Sequence, residues 1–412
     1  MSCADNDADR LSRNSGNVIN GESNKKECLP EKILQSLVFP INCRCEIGYI
    51  VRECSVPCSE ENSMRKIGVN GLPAILTAVF FIASAHAQEW EMPRTEFGDP
   101  DLQGVWSNAT QTKLERDSQL GERKAFTEEE ALARESRSRD RQIESDRASD
   151  PNRAPPTDGN TAAGYNSFWL DRGNGIVQIN GEYRTSMIID PPNGQIPFLP
   201  AAIGRPTQLQ QWVAQPGVAA FDGPELQTIG ERCLLFWDFR TSNSSAGPPM
   251  MPVIYNNNYQ IIQTQDYVVI MAEMIHDARI IRLQDKHHST VMNQWMGDSV
   301  GHWENDTLVV ETRNLHPQQN HYGSSPDLVV IERFTRSSEE QIDYQFTMID
   351  PAVYSQPWTA ELAFRQRPEV EVLYEFACHE GNYALGGILA GARRKEHDER
   401  SKTDASFETS EL

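Results

Sequence analysis

Alternating apolar and polar residues in the second half of the chain predict a series of short β-strands. In residues 341–349 every second side chain is apolar, as expected for a strand with one face against a core. These apolar positions are Ile342, Tyr344, Phe346 and Met348. Further strands are predicted at residues 176–179, 183–189, 308–311, 328–335 and 370–379, and two adjacent strand-like stretches, with a bend or bulge, at residues 259–283.

Two short turns connect neighbouring strands of this series. Asn180-Gly181 lies between two predicted strands, and Asn-Gly is a strong signal for a type I′ hairpin turn because both residues accept a positive φ. The residues Trp-Glu-Asn-Asp-Thr-Leu at 303–308 indicate a second hairpin. Since no helical segment separates the strands, we expect an antiparallel meander.

The number of strands favours a β-barrel. Seven or more strands in one domain usually close into a barrel, because closure removes unpaired edges. A β-sandwich is the alternative architecture. The short strand predicted after Asp99 contains Gly104-x-Trp106, which resembles the G-x-W opening of lipocalin-type barrels.

A polar helix is predicted at residues 126–148, before the strands begin. Thr127 and Glu130 form a capping box, and acidic residues crowd the first turn. Few apolar residues interrupt the charges, so this helix is expected on the surface. Residues 149–164 have the composition of a linker.

Residues 64–87 have the three parts of a secretory signal peptide. Arg65 and Lys66 are positive, residues 72–85 are apolar, and Ala-His-Ala at 85–87 is a cleavage site. The apolar stretch is too short to span a membrane. We therefore expect a protein of the periplasm or the secreted fraction, with no stable membrane span after cleavage.

This signal divides the chain into regions. Residues 1–63 are interpreted as a disordered extension produced by a mis-assigned start, 88–165 as a first strand, helix and linker, 166–394 as the β-rich domain, and 395–412 as a disordered tail. The alternative for residues 1–63 is a cysteine-rich metal site with Cys43, Cys45, Cys54 and Cys58. After cleavage only Cys233 and Cys378 remain, and they are expected to form a disulfide rather than two buried thiols.

Composition excludes several classes of function. A net charge of −21 argues against binding to nucleic acid or anionic membranes, since both need a basic surface. The chain has no phosphate-binding loop, no dinucleotide fingerprint and no G-x-S-x-G motif. No cofactor is predicted. A divalent metal bound by His276, His288 and His379 is a weaker alternative, because their spacing matches no common metal motif.

Several long blocks resemble a large family of exported bacterial proteins of uncharacterised function. They include EMIHDARII, WMGDSVGHWENDTLVVET and YEFACHEGNY, within a resemblance that covers most of residues 99–394. The chain departs from the family pattern at His302, where the family has arginine, and at Asn305, where it has glycine. Both positions lie at a predicted turn. The resemblance implies export and no particular reaction.

The first candidate site lies in the segment from Glu273 to Arg279. On a continuous strand Glu273, Asp277 and Arg279 would share one face with aliphatic residues, and His276 would lie on the other face. Such groups need partners when buried. They would either form a pocket, with Arg279 binding an anionic or carbonyl group and a carboxylate acting as base, or a buried carboxylate–arginine bridge that only stabilises the core.

The second candidate site follows the predicted strand 370–379. His379 is a candidate base oriented by Glu380 or Asn382; the alternative is a turn whose side chains cap backbone groups. Ligand contacts are predicted around both sites, at Tyr255, Asn257, Tyr259, Trp295, Asp298, Asn382 and Tyr383.

Two functions remain open from the sequence. The favoured one is a barrel that binds a small, largely apolar molecule, and the other is an acid–base enzyme such as an isomerase, lyase or hydrolase. The two differ in geometry, because catalysis requires the candidate groups to meet in one concave pocket, whereas a carrier would separate them or pair them off. The sequence indicates neither the ligand nor the oligomeric state.

Overall fold

A computed structural model gives the fold of most of the chain after residue 89. It describes residues 90–147, 152, 170–171, 173, 175–236, 246–289, 292–319, 321–369 and 372–410. These residues belong to one compact unit, Ala83–Leu412. Residues 1–63 and the predicted signal peptide lie outside the described residues.

The described chain is mainly β-structure with three α-helices. In chain order the elements are β1 (Gly104–Ser107), β2 (Ala125–Phe126), α1 (Glu128–Ser145), β3 (Gln178–Ile179), β4 (Glu182–Arg184), β5 (Ile188–Asp190), α2 (Gln208–Val213), β6 (Asn258–Gln263), β7 (Tyr267–Ala272), β8 (Ala278–Leu283), β9 (Asp298–Glu304), β10 (Thr307–Arg313), β11 (Val329–Ser338), β12 (Gln341–Ile349), β13 (Trp358–Gln366) and α3 (Tyr383–Ser410). The capping box of α1 and the hairpin turns at Asn180 and Asn305 are as the sequence predicts.

Nine of the strands form a closed barrel, in the order β1, β6, β7, β8, β9, β10, β11, β12 and β13. Antiparallel pairing of β13 with β1 completes the ring, with Trp106 opposite Gln366. The predicted barrel is thus confirmed over the β-sandwich. Outside the ring, β5 pairs with β13, and β2, β4 and β3 form a small separate sheet.

One neighbouring pair differs from the predicted antiparallel meander. β8 and β9 run parallel, with Ile281 opposite Ser299, and residues 284–297 connect them. A ring with an odd number of strands cannot alternate direction all the way round, so nine strands require at least one parallel pair. Because lipocalin-type barrels have eight strands, the lipocalin resemblance of the G-x-W motif stays a prediction.

The strand prediction is wrong in two places. Residues 372–379 form no strand, and the last barrel strand is β13, which the sequence pattern does not indicate. Both faces of β13 are largely covered: Ala360 and Leu362 are buried on one face, Glu361 and Ala363 on the other. Covering both faces removes the alternation on which the prediction depends.

The C-terminal residues are helical rather than disordered. Helix α3 extends to Ser410 and so includes most of the predicted tail. Ion pairs between residues four apart support the helix, at Arg394–Asp398 and Lys395–Glu399. A highly charged composition alone therefore does not distinguish this helix from a disordered segment.

Large aromatic side chains fill the barrel. Trp106, Phe346 and Trp358 are fully buried, and Tyr344 packs edge-to-face on Phe364 with ring centroids 5.3 Å apart. The indole of Trp106, in the predicted G-x-W motif, donates a hydrogen bond to the carbonyl of Leu102 at 3.0 Å. Side chains from the connecting segments, among them Leu235, Met250, Tyr322 and Tyr354, join the same core.

The two ends of the barrel differ in their connections. Short turns link β6–β7, β9–β10 and β11–β12 at one end. The other, here called the loop end, carries the connections 108–257, 273–277, 314–328 and 350–357. Connection 108–257 is the largest and contains α1 and α2. Because loops on a rigid scaffold commonly carry binding residues, the loop end is the first place to look for a site.

A disulfide between Cys233 and Cys378 confirms the predicted pairing. Their Cα atoms are 5.8 Å apart, and 145 residues separate them in sequence. The Asn382 side chain donates hydrogen bonds to the Glu231 carbonyl at 2.7 Å and to Cys233 Sγ at 3.4 Å. The bond therefore fixes the segment after β13 to connection 108–257. No helix in the described parts of the chain has the length and hydrophobicity needed to cross a bilayer.

Candidate functional site

Arg279 lies inside the barrel, where its guanidinium is bonded on all sides. It donates to Ser299 at 3.1 Å and to Thr312 at 3.2 Å, and it forms a bidentate ion pair with Glu332, one bond of which measures 2.9 Å. The Tyr344 hydroxyl donates to the same carboxylate at 2.7 Å. These residues come from β8 to β12, so the network crosses five adjacent strands.

This network is a structural one. Arg279 and Glu332 are 3% and 0% exposed, and buried charges are tolerated only when their hydrogen bonds are satisfied. Burial and the neighbouring Glu332 raise the pKa of Tyr344 well above its usual value, which keeps its hydroxyl protonated as a donor. The geometry matches the buried carboxylate–arginine bridge, although the partner is Glu332 rather than Glu273 or Asp277.

The segment Glu273–Asp277 is a turn between β7 and β8, not part of a continuous strand. Ile275 and His276 have φ values of 57° and 49°, in the left-handed region that no strand uses. Alternation of faces therefore does not apply here. Glu273 is buried and accepts a bond from the Asn258 amide at 2.5 Å, whereas the exposed His276 places Nδ1 3.1 Å from the carbonyl of Phe376.

Asp277, in the same turn, has an unusual ionisation. One of its carboxylate oxygens is buried and has no hydrogen-bond partner among the described residues. Burial raises the pKa of Asp277 to about 7. Near neutral pH the carboxyl group is thus divided between its acid and its ionised form. A general acid or base needs that property, but also a second group and a substrate beside it.

The candidates around His379 lie in a surface turn and at the start of α3. His379 and Glu380 are exposed, and Tyr383 is 84% exposed. The His379 carbonyl accepts a bond from the Asn382 N–H at 3.1 Å. Since Asn382 also bonds to Glu231, as described above, its side chain already serves to hold the disulfide-linked segments together.

Three of the predicted ligand contacts are buried and bonded to other parts of the protein. Asn257 bonds to both backbone groups of Val253, Tyr259 lies 3.3 Å from the Asn108 amide, and Asp298 accepts bonds from Arg282 and the His288 backbone. Two more, Tyr255 and Trp295, are half-buried aromatics. Tyr255 stacks on Phe376, and Trp295 stacks on His316 with ring centroids 3.9 Å apart. In the described residues, no three His, Cys, Asp or Glu side chains are arranged to hold a metal ion.

Two large cavities lie outside the barrel interior. The first, here called the α1 cavity, has a volume of about 920 Å³ and lies between α1 and other parts of connection 108–257. The second has about 830 Å³, contains Glu273 and is lined partly by barrel strands. Thr110, Gly173 and Ile176 line both, so the cavities adjoin. Glu273 is the one predicted site residue among the described residues that line them.

Several contacts hold α1 at the edge of this cavity. The capping box at Thr127 fixes its first turn, and Ala131 is its single buried residue. Further along, the Glu135 carboxylate accepts a hydrogen bond from the Ile176 N–H at 2.8 Å. The helix is thus attached mainly through its first two turns. The rest of it faces the domain across the cavity.

The side of α1 that faces the cavity is polar and cationic. Arg134, Ser138 and Arg141, at spacings of four and three, line it together with Arg137. The apolar residues Leu132 and Ile143 are instead 52% and 57% exposed. From the sequence alone, these arginines are expected on a solvated surface. The available signal was their helical spacing, which places them on one side of the helix.

The charges around the α1 cavity are mostly positive. Its lining has five cationic residues, Lys113, Arg134, Arg137, Arg141 and Arg184, and a single acidic one, Asp117. Lys113 pairs with Asp117 at 2.5 Å, and Arg184 pairs with Glu182 and Glu361. Arg134 lies over the Phe126 ring at 4.2 Å from its centroid. Within the described residues, no carboxylate forms an ion pair with the three arginines of α1 that line the cavity.

The interior network predicts a large loss of stability when its anion is removed. Glu332→Gln leaves the Arg279 charge buried without a counter-charge, which we expect to lower the free energy of unfolding by about 3–5 kcal/mol. Glu304→Gln, which disrupts an exposed pair with Arg333, should lower it far less, because solvent screens exposed ion pairs. Urea denaturation of both variants measures the difference. The double variant Arg279→Met/Glu332→Gln should lose less than Glu332→Gln alone, and equal losses in the two single variants would contradict the network.

Asp277 predicts a pH dependence of stability. Its folded-state pKa of about 7 exceeds the unfolded value near 4, so its contribution is fully present at acidic pH and is lost as pH rises from about 4 to 7. Asp277→Asn should therefore be more stable than the wild type by about 2–4 kcal/mol at pH 8, at about 1.4 kcal/mol per unit of pKa, and by much less at pH 4. Urea denaturation at both pH values tests this. The control Asp266→Asn, at an exposed turn, should give no such difference, and the same stability change at both pH values for Asp277→Asn would refute the prediction.

Comparisons with known proteins place this chain in no established group. No protein-family model matches its sequence, and no significant match was found among curated proteins or solved structures. The resemblance to a family of exported bacterial proteins therefore stays a prediction. Any statement about function has to rest on the geometry described above.

Proposed function

We propose that this protein is an exported small-molecule-binding protein whose ligand occupies the α1 cavity. The observation that carries the proposal is that α1 faces the domain with polar side chains across about 920 Å³ of space. A surface helix normally buries an apolar face against its domain, but α1 buries only Ala131. The volume is within the range of small-molecule sites, and a bound ligand would supply the contacts that the helix lacks.

The lining suits a molecule with an apolar body and polar substituents. Phe126, Leu170 and Ile176 provide apolar surface, and Thr110 and Thr112 provide hydroxyl groups. Ligand sites typically combine apolar walls with a few polar groups that fix orientation. The sequence predicts a largely apolar ligand inside the barrel. We place it outside, because aromatic side chains and the Arg279 network occupy the described interior.

Binding is favoured over catalysis because three of the candidate groups are bonded to other parts of the protein. Arg279 is bonded to Glu332, Glu273 to Asn258 and His276 to the Phe376 carbonyl. An active site needs a nucleophile or base, its orienting partner and a space for substrate at one point. Asp277 has a suitable pKa but no catalytic partner at hydrogen-bond distance among the described residues.

Export is supported by the disulfide and by the signal-like segment. A disulfide is typical of proteins that leave the reducing cytoplasm, and Cys233 is bonded to Cys378. Residues 64–87 have the order of charge, apolar stretch and cleavage site that export requires. We therefore propose that the functional protein begins after Ala87 and acts in the periplasm or outside the cell.

The intact mass of the protein recovered from a bacterial periplasm tests export. We expect a chain that begins at Gln88 and that gains two hydrogens on reduction of the disulfide. A protein that stays in the cytoplasm and retains residues 1–63 would contradict this part of the proposal.

A block of the α1 cavity tests ligand binding. Ser138→Trp places a large side chain in the cavity, whereas Ser136→Trp adds the same group at an exposed position of α1 that does not line it. As the probe we choose 8-anilinonaphthalene-1-sulfonate, which has an apolar body of suitable size and one anionic group. Titration calorimetry should show one saturable site in the wild type and in Ser136→Trp, weakened at least tenfold in Ser138→Trp.

Two outcomes of this titration would overturn the binding site. One is equal binding by the two tryptophan variants and the wild type, which would place the probe elsewhere on the protein. The other is the absence of saturable binding to the folded wild type. Circular dichroism of both variants before titration separates a blocked cavity from a chain that no longer folds.

A further inference from the structure

We infer that the ligand of the α1 cavity carries an anionic group, a carboxylate, sulfate, sulfonate or phosphate, which the arginines of α1 bind. The inference rests on the proposed function, since it concerns the same cavity, and it adds the chemical class of the ligand.

The local balance of charge around the α1 cavity is positive. Two of the five cationic residues in the lining have protein partners, because Lys113 pairs with Asp117 and Arg184 with two glutamates. The other three are Arg134, Arg137 and Arg141, for which the described residues supply no ion-pair partner. About three positive charges thus border one cavity without an ion-pair partner among the described residues.

The clustering of these arginines is electrostatically unfavourable, and it contrasts with the acidic composition of the chain. Like charges three or four residues apart on a helix repel each other, as Arg134, Arg137 and Arg141 do. The chain contains 59 acidic residues against 38 basic ones, so carboxylates that could relieve this repulsion are abundant. Of the acidic residues in this part of α1, Glu135 is instead bonded to the backbone of Ile176, and Asp140 is exposed and does not line the cavity. An anion bound in the cavity would provide the missing counter-charge.

The geometry of the guanidinium groups suits an anionic group with several oxygen atoms. Arginine binds carboxylate, sulfonate and phosphate oxygens through a planar fork of N–H donors. Arg134 lies over the Phe126 ring, and this contact restricts its position beside the apolar wall. An anionic group near the arginines would therefore leave the body of the same ligand against Phe126 and Ile176. The combination describes an organic anion rather than a bare inorganic ion.

The net charge of the protein limits the number of negative charges on the ligand. A net charge of −21 repels anions at a distance, and this repulsion grows with the charge of the ligand. Polyanions such as nucleic acids are therefore disfavoured, although a local cationic cavity can still hold a single anionic group. Small organic molecules with one such group fit the cavity best.

Two probes that differ only in charge test this inference. They are 8-anilinonaphthalene-1-sulfonate and N-phenyl-1-naphthylamine, which lacks the sulfonate. We expect the wild type to bind the sulfonate at least tenfold more tightly. Arg141→Gln should weaken its binding about tenfold or more, in line with the loss of one charge-assisted hydrogen bond. The neutral probe should bind Arg141→Gln and the wild type alike.

Arg139→Gln provides the matched control. Arg139 is exposed on the same helix but does not line the cavity, so its removal changes the net charge equally. It should change the affinity for the sulfonate by less than twofold. An equal loss in Arg139→Gln and Arg141→Gln would show a non-specific charge effect and would overturn the inference.

The results separate this inference from the proposed function. If both probes bind equally, and Ser138→Trp blocks both while Arg141→Gln affects neither, the cavity binds ligands but does not select an anion. If Ser138→Trp leaves the binding of both probes unchanged, the proposed site itself is wrong and the inference fails with it.

Discussion

The pairing of β1 with β13 is the constraint on which the rest of the structure depends. β1 has four residues, and the next strand of the ring, β6, begins about 150 residues later in the chain. Closure of the barrel therefore brings together segments from opposite ends of the domain, with Trp106 opposite Gln366. Connection 108–257, between β1 and β6, therefore leaves and re-enters the barrel at its loop end. The α1 cavity is lined entirely by residues of that connection.

The barrel interior and connection 108–257 have different roles in this protein. Barrels of about eight strands have an interior that either fills with side chains or holds one small ligand. Here the network of Arg279 with Ser299, Thr312, Glu332 and Tyr344 links five strands, and the aromatic side chains around it complete the packing. The barrel is thus a rigid support. Space for another molecule occurs where α1 stands away from the domain.

Local signals in the sequence predict local features well. The alternation of residues 341–349 gives β12, Asn180-Gly181 gives a hairpin turn, and Thr127 with Glu130 gives the start of α1. The disulfide is also predictable, because the expected mature chain has only two cysteines. In each case the information lies in a few neighbouring residues or in a simple count.

The features that the sequence does not predict depend on distant residues. The partner of Arg279 lies 53 positions away, and nothing near Arg279 indicates Glu332. The parallel β8–β9 pair follows from the total number of strands, not from either strand. The turn at Ile275 and His276 has positive φ values without a glycine to indicate them. The α1 cavity depends on which side of a charged helix faces inward, and composition leaves that side undetermined.

The position of the disulfide along the chain has a topological consequence. Cys233 precedes β6 and Cys378 follows β13, so the covalent ring that they close contains eight of the nine barrel strands, all except β1. A protease that cuts one peptide bond anywhere inside this ring cannot separate the two fragments. In an oxidising compartment, where proteases are common, the nicked barrel would remain one covalent molecule. The parts outside the ring are β1, the first part of connection 108–257, which includes α1, and α3 after Cys378, and these could be lost after a single cut.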